Sequence, residues 1–396
     1  VFSSLVFTIF AGGLVNNCMS TFSNYILIWY RTHKRDLPWR NTTDPYRIWI
    51  SEIILQQTRV SQGYDYFLRF MDRFPTVQAL AEAPEDEVMR LWQGLGYYSR
   101  ARNLHAAAKS ICGNQLDTSD ALSPNNSSDE LNGDMPLQIR EKARGGILFP
   151  RTFDEVRALK GVGDYTAAAI CSFAYNMPYA VVDGNVYRVL ARYFGIHEPI
   201  DTTQGKKLFA ALAQDQLDAS CSADYNQAIM DFGALVCTPL SPSCTSCPLA
   251  EGCEALRRGQ VDELPQKQKK LTPKTRYFHY LWVKAGDTTF IRKRTERDIW
   301  QNLYELPLVE SNHQLSIPEL LQAIQPMLAD GEEPQLTLIR QGVKHVLTHR
   351  IIWADFYQLT LPSATCSFPT YQRIKIEQLA DYAFPRLITL FLDKSS

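Results

Sequence analysis

From Phe22 to about Gln260 the apolar residues recur at helix spacing, and almost no alternating strand pattern interrupts them. Tyr25, Ile28 and Trp29 form one such set, Val77, Leu80 and Ala81 a second, and Val88, Leu91 and Trp92 a third. The first two-thirds of the chain is therefore expected to be built of helices. After a break the pattern changes to short strand-like stretches at 277–283, 288–291 and 351–359. One helical passage is expected at 319–329, shortened by Pro326, and a last one at 371–393, interrupted by Pro385. That makes the C-terminal part a separate α+β domain. With 396 residues, the chain is long for one hydrophobic core and comfortable for two or three domains.

Two segments interrupt this organisation. Residues 113–146, which include SPNNSSDELNGD, are rich in Asn, Ser, Asp and Gly and read as a surface insertion between helices. Residues 262–276, DELPQKQKKLTPKTR, combine two prolines with five cations and read as a linker. That linker is either a solubilising tether or a basic strap facing phosphates. The apolar run at 1–15 has no basic start and is too short to span a membrane, so residues 1–18 are expected to be dispensable and Met19 to be the true beginning. Basic and acidic residues nearly balance, 41 against 42, so any nucleic-acid footprint must be local.

Four of the nine cysteines lie close together, Cys237, Cys244, Cys247 and Cys253. Four thiolates suit zinc or a [4Fe-4S] cluster, and softness alone does not separate the two. Core thiols or a disulfide pair are the other readings of the same spacing. The cysteine usage and the lack of a convincing export signal favour a reducing cytoplasm.

Three further segments carry residues suited to chemistry. In Leu159-Lys160-Gly161-Val162-Gly163-Asp164-Tyr165 two glycines stand between helical stretches, as in a hairpin that offers helix N–H groups to a phosphate, or in a plain helix-joining turn. Asp183 precedes the apolar run Val186-Tyr187-Arg188-Val189-Leu190 and would cap that helix or act beyond it. Glu52 sits in the apolar segment Trp49-Ile50-Ser51-Glu52-Ile53-Ile54, where burial disfavours the charged form as a proton donor requires; a solvated face is the other possibility. Gln56 and Gln57 beside it could contact bases or satisfy backbone groups.

Taken in order, PWR at 38–40, SEIILQQTRV at 51–60, GLGYYSRARNL at 94–104, LKGVGDYTAAAI at 159–170 and VDGNVYRVLAR at 182–192, with the cysteine run, closely resemble the MutY family of adenine DNA glycosylases in the helix-hairpin-helix superfamily. The resemblance covers the chain from about Met19 onward, apart from the polar insertion, which the family does not usually carry. It implies a mostly α, two-lobed helix-hairpin-helix glycosylase domain over 19–261, with an iron-sulfur cluster loop at 237–253 and the active site in the cleft between the lobes. A C-terminal α+β Nudix-like lesion-recognition domain would follow at 277–396.

By the same resemblance Glu52 is the general acid that protonates adenine, and Asp183 stabilises the oxocarbenium-like sugar or bonds to it briefly. Asn185 and Tyr165 would order that centre. Relatives that also cleave the strand carry a lysine where Tyr165 stands, so base removal without strand cleavage is expected. Cys237, Cys244, Cys247 and Cys253 would hold a [4Fe-4S] cluster, with the loop 237–244 near phosphates. Gln57, Thr58, Leu95 and Tyr97 would open the base pair, Gly161 and Gly163 would grip the backbone, and Leu347, Thr348 and His349 would read 8-oxoguanine.

Departures from the family pattern are Leu347 in place of a phenylalanine, Asn302 in place of a glycine, and Lys160 in place of a proline. The C-terminal domain lacks the glutamates of a pyrophosphatase, so nucleotide hydrolysis is not expected. The expected partner is double-stranded DNA with adenine opposite 8-oxoguanine or guanine, bound by a monomer in the cytoplasm at the nucleoid. A bifunctional mismatch glycosylase and a non-catalytic lesion-binding protein are the competing readings.

Overall fold

The computed structural model describes residues 21–116, 149–268, 273–328, 334–360 and 368–394. Met19, Cys18, Cys366 and nearly all of the polar insertion lie outside the described residues. As the periodicity predicts, every regular element described before residue 274 is helical. Contacts divide the chain into two units. The described residues among Val1–Ile48, Arg151–Arg157 and Val162–Gln268 form the first, and those among Trp49–Pro150, Ala158–Gly161 and Lys269–Ser396 the second.

The chain opens with α1 (Thr21–His33) and α2 (Pro45–Leu55), whose first turn lies in the first unit and whose remainder lies in the second. The second unit continues with α3 (Val60–Arg73), α4 (Val77–Glu82), α5 (Glu85–Leu91) and α6 (Ser99–Leu116). Then come α7 (Phe153–Ala158), α8 (Asp164–Tyr175), α9 (Gly184–Phe194), α10 (Thr203–Asp215), α11 (Ser222–Leu235) and the single turn α12 (Glu254–Arg257).

In the first unit the core gathers around Phe22, Ile26, Trp29, Leu190, Phe209, Tyr225 and Phe232. Tyr25 and Ile28, expected to share the buried stripe of α1, are exposed, because the stripe runs through Phe22, Ile26 and Trp29 instead. The α9–α11 contact is tight: a Cβ on Gly233 would stand 2.6 Å from that of Asn185, so only glycine lets the two helices approach.

Asp231 on α11 is fully buried and accepts from Arg35 and Arg40, at 2.8 Å from Arg35 Nε and 2.7 Å from Arg40 Nη2. Burial works to raise its pKa, but the two guanidinium groups outweigh that and hold the carboxyl below the usual range. The ion triad ties the segment after α1 to α11.

The C-terminal part of the second unit carries two sheets. β1 (Lys274–Val283), β4 (Leu308–Ser311), β5 (Gln335–Leu347) and β6 (Arg350–Thr360) form one in the order β4-β1-β6-β5, with β1 and β6 parallel and the other pairs antiparallel. β2 (Thr288–Lys293), β3 (Tyr304–Glu305) and β7 (Gln372–Lys375) form the other in the order β3-β2-β7. Helix α13 (Ile317–Ile324) continues into a 3-10 turn at Gln325–Met327, so Pro326 shortens it as expected.

The helical reading of 371–393 is corrected. Its first part is β7 and a 3-10 turn at Ile376–Asp381, and only α14 (Arg386–Leu392), after Pro385, is an α-helix. β7 forms because Gln372–Lys375 finds a partner in β2, a long-range pairing that local periodicity does not report.

Among the described residues no helix is long and apolar enough to cross a membrane. Replacing Asp231 with Asn leaves two guanidinium groups facing a neutral amide, so unfolding in urea at neutral pH is expected to cost about 3 kcal/mol less than in the parent. Because the folded pKa is depressed, the lost stability belongs to the range above the unfolded pKa. The difference should shrink as pH falls below about 4.

Candidate functional site

In the first unit the candidate site is built on the start of α9. Asp183 is extended in backbone and caps the helix, its Oδ1 accepting from the amides of Asn185 and Val186, each at 2.8 Å. Its Oδ2 accepts from Asn185 Nδ2 at 2.7 Å, and Asn185 Oδ1 in turn accepts from Arg188 Nη2 at 2.9 Å. Arg188 is fixed by the carbonyls of Cys237 and Gly233, both at 2.6 Å. The carboxylate is thus oriented by a chain that ends in the backbone of another segment. Burial pushes the Asp183 pKa up, against the lowering effect of its hydrogen bonds and of Arg188. Tyr165, on the first turn of α8, is half-buried and packs on the small cluster of Ala168, Ala169 and Val181.

The glycine turn before α8 also has a definite geometry. Gly161 has a φ of +84°, and a Cβ there would come within 2.7 Å of Asn103 Cβ. Gly163 stands at the N-cap of α8 without a side-chain cap, and Lys160 is exposed. Asp164, the first residue of α8, is paired with Arg157 at 2.5 Å.

In the second unit Glu52 is buried, with 7% of its surface exposed, near the end of α2. The carbonyls that this helix end leaves without helical partners are taken up by Arg100 of α6. Arg100 Nη1 donates to Ile53, Ile54 and Gln56 at 2.7, 2.9 and 2.7 Å, and Nη2 donates to Gly96 at 3.2 Å. One guanidinium thereby joins the end of α2 to the loop 94–97, and burial lowers its pKa to about 10. Gln57 and Tyr97 both hold left-handed backbone, φ +55° and +47°, which non-glycine residues adopt at a cost. Tyr97 is 46% exposed, whereas Tyr98 and Leu95 are core residues.

Thr348 and His349 form the two-residue turn joining β5 to β6, and Leu347 is the last residue of β5, paired with Arg350. The Tyr97 hydroxyl is hydrogen-bonded to the Thr348 hydroxyl. Residues far apart in sequence therefore meet in one group: the end of α2 with Leu95 and Tyr97 through Arg100, and Tyr97 with the hairpin tip.

The expected iron-sulfur cluster is not supported, and with it the cluster loop and its four cysteine ligands. Among the described residues no group of three or more His, Cys, Asp or Glu side chains is arranged to hold a metal ion. Cys237, Cys244, Cys247 and Cys253 are free thiols around one small cavity between two 3-10 turns. Arg192 Nη1 lies 3.4 Å from Cys237 Sγ, and Cys253 Sγ lies 3.6 Å from the Arg192 carbonyl. Burial raises the pKa of Cys244, Cys247 and Cys253, that of Cys247 to about 11. Three of the four pack against the first unit's core, which is the core-thiol reading of the spacing.

Comparison with known proteins agrees with this architecture. Residues 50–214 match the HhH-GPD superfamily of base excision DNA repair proteins, and residues 279–394 match the NUDIX domain. An adenine DNA glycosylase of Buchnera aphidicola subsp. Baizongia pistaciae is 33% identical over 289 residues, which is 72% of this chain and 73% of that protein. The chain belongs to the adenine DNA glycosylase family. The adenine DNA glycosylase of Mus musculus is 32% identical over 405 residues, covering 88% of this chain and 72% of its own length. The solved structure of a thermostable thymine-DNA glycosylase overlaps with a TM-score of 0.49 at 27% identity, over 61% of this chain and 97% of that one. As a member of the adenine DNA glycosylase family, the protein is a DNA glycosylase with a mostly helical HhH-GPD domain and a C-terminal Nudix-like α+β domain.

The arginines that fix these groups are not among the site residues the sequence suggests, although Arg100, Arg188 and Arg192 lie within the segments that carry the resemblance. The available signal was a cation on an otherwise apolar helix face, at Arg188 between Val186 and Val189 and at Arg100 beside Ala101 and Leu104. Arg100→Met would leave several carbonyls without their donor, and a loss of about 3 kcal/mol in unfolding free energy is expected by thermal or urea denaturation.

Proposed function

We propose that the protein hydrolyses the N-glycosidic bond of adenine paired with 8-oxoguanine or guanine in double-stranded DNA and leaves an abasic site. The observation that carries this reading is the Asp183 carboxylate, oriented by two amides and Asn185 and partly desolvated, in a chain of this family. A carboxylate held without freedom to reorient is suited to facing positive charge as it develops on a sugar.

In the proposed reaction adenine is first flipped out of the stack. Glu52 gives its proton to the base, the bond from the sugar to the base breaks, and the bonding electrons leave with adenine. Asp183 stabilises the resulting oxocarbenium ion until water adds to the sugar and releases a proton. Asn185 and Tyr165 hold this centre in place. Tyr165 offers no amine for a Schiff base, so strand cleavage is not part of the reaction. Gln57, Thr58, Leu95 and Tyr97 act around the opened pair, Gly161 and Gly163 at a backbone phosphate, and Leu347, Thr348 and His349 at the opposite base. The left-handed backbone of Gln57 and Tyr97 supports this role, since strain of this kind gathers where a side chain is held ready for a ligand.

Single-turnover release of adenine from duplexes carrying it opposite 8-oxoguanine, guanine or thymine tests the reading. Release opposite 8-oxoguanine, with strand breaks only after alkali, is expected. No release, or breaks without alkali, would overturn it.

Asp183→Asn should lower the rate by at least about 10³-fold while leaving duplex binding largely intact. The same variant keeps a side-chain oxygen to cap α9. Because the folded pKa of Asp183 is raised, its ionisation costs stability once pH exceeds the unfolded value, and the asparagine variant avoids that cost. The variant also loses the acceptor for Asn185 Nδ2, which offsets that relief, so its melting temperature at neutral pH is expected to stay close to the parent's. The acid limb of the parent's pH–rate profile should lie above the usual aspartate range.

A further inference from the structure

One departure from the family pattern acquires a function in the second unit. Asn302 stands where a glycine is usual, and its backbone has a φ of +65°, the conformation for which glycine is favoured and which asparagine tolerates. Its side chain is not idle. Asn302 Nδ2 donates to Glu85 Oε1 at 2.5 Å, at the start of α5. Close by, Lys293 Nζ meets Asp86 Oδ1 at 2.5 Å, and the Tyr304 hydroxyl donates to Asp86 Oδ2 at 3.4 Å. Arg102 of α6 donates to the Gln301 carbonyl at 2.6 Å. Two carboxylates on consecutive residues of α5 are thus engaged by three donors of the Nudix-like domain, which also meets Tyr97 through Thr348.

We propose that Asn302 and Lys293, closing on Glu85 and Asp86, form a latch that seats the Nudix-like domain on α5 and α6 before DNA is bound. In that seat the hairpin tip stands against Tyr97, and the latch sets discrimination by the base opposite adenine. These are positioning residues: none of them need touch DNA. The inference rests on the proposed reading of the tip as the part that meets the opposite base. Each contact is partly exposed and individually weak, so the effect comes from their sum and from keeping the tip at high local concentration beside Tyr97.

Asn302→Gly is the informative variant, because glycine accepts the same backbone and removes only the side chain. It is compared with Asp86→Lys, with Lys293→Asp and with both charge changes together, all in the full chain. Two readouts are taken: small-angle X-ray scattering without DNA, and single-turnover adenine release opposite 8-oxoguanine and opposite guanine. The single variants are expected to raise the radius of gyration and to lower the ratio of the two rates by about two- to fivefold. The loss should fall mainly on the 8-oxoguanine duplex, and the charge exchange should recover both readouts. Unchanged scattering would overturn the latch, and changed scattering with an unchanged ratio would overturn its role in discrimination. If the parent releases adenine from neither duplex, the glycosylase reading fails, and scattering alone still decides whether the latch exists.

Discussion

Buried guanidinium groups bonded to backbone carbonyls hold this structure's irregular parts in place. A helix end leaves its last carbonyls without helical partners, and a loop leaves most of its own unpaired. Arg100 collects those of α2 together with that of Gly96, Arg188 those of Gly184, Gly233 and Cys237, and Arg192 those of Thr238, Pro239 and Leu264. Each offers five donors in a rigid fork, so one side chain replaces several local turns. The cost is desolvation, visible in the lowered pKa of Arg100 and Arg188. What is gained is that short segments with little secondary structure keep one conformation.

The same economy holds at Asp183. Capping a helix and facing a sugar cation are usually weighed as alternatives for a lone aspartate. Here the cap uses Oδ1 and the orienting amide of Asn185 uses Oδ2, so the atoms that stabilise α9 also fix the direction of the carboxylate's charge. Burial then makes that charge costly, which suits the role proposed for it. Helix stability and site electrostatics cannot be tuned separately at this residue.

Much of this architecture was legible from the residues. The helical period before residue 260 and the change to strands after it are local signals, and local packing obeys them. What was not legible depended on distant partners. β5 has no clean alternation because it is an edge strand exposed along much of its length, with Ile339 and Val346 open to solvent. Gln372–Lys375 becomes a strand only because β2 is there to pair with it. Tyr25 and Ile28 match a helix as well as Ile26 does, and only the position of α11 decides which face is covered. The cysteine spacing announced proximity, and the four thiols do surround one cavity. Proximity in sequence does not carry the convergence a metal requires, and Arg192 takes up the polar contacts instead. For the arginines the converse holds: a cation on an apolar helix face marks Arg100 and Arg188 as buried, but the backbone carbonyls they bind have no sequence signature.

The first unit is assembled from pieces of chain made at very different times. Arg35 and Asp231 are 196 residues apart, and Tyr30 meets Gln227 across 197. At synthesis rates of roughly 5–20 residues per second, α1 waits roughly 10–40 s on the ribosome before α11 exists to receive it. Phe22 can meet Tyr193 and Phe194 earlier, but until α11 is made Trp29 and Tyr30, both buried in the finished protein, lack their partners Phe232 and Gln227. The nascent chain therefore carries a partly uncovered aromatic helix face as a standing ligand for whatever chaperone is at hand, and folding of this unit is a late event that the ion triad helps to close.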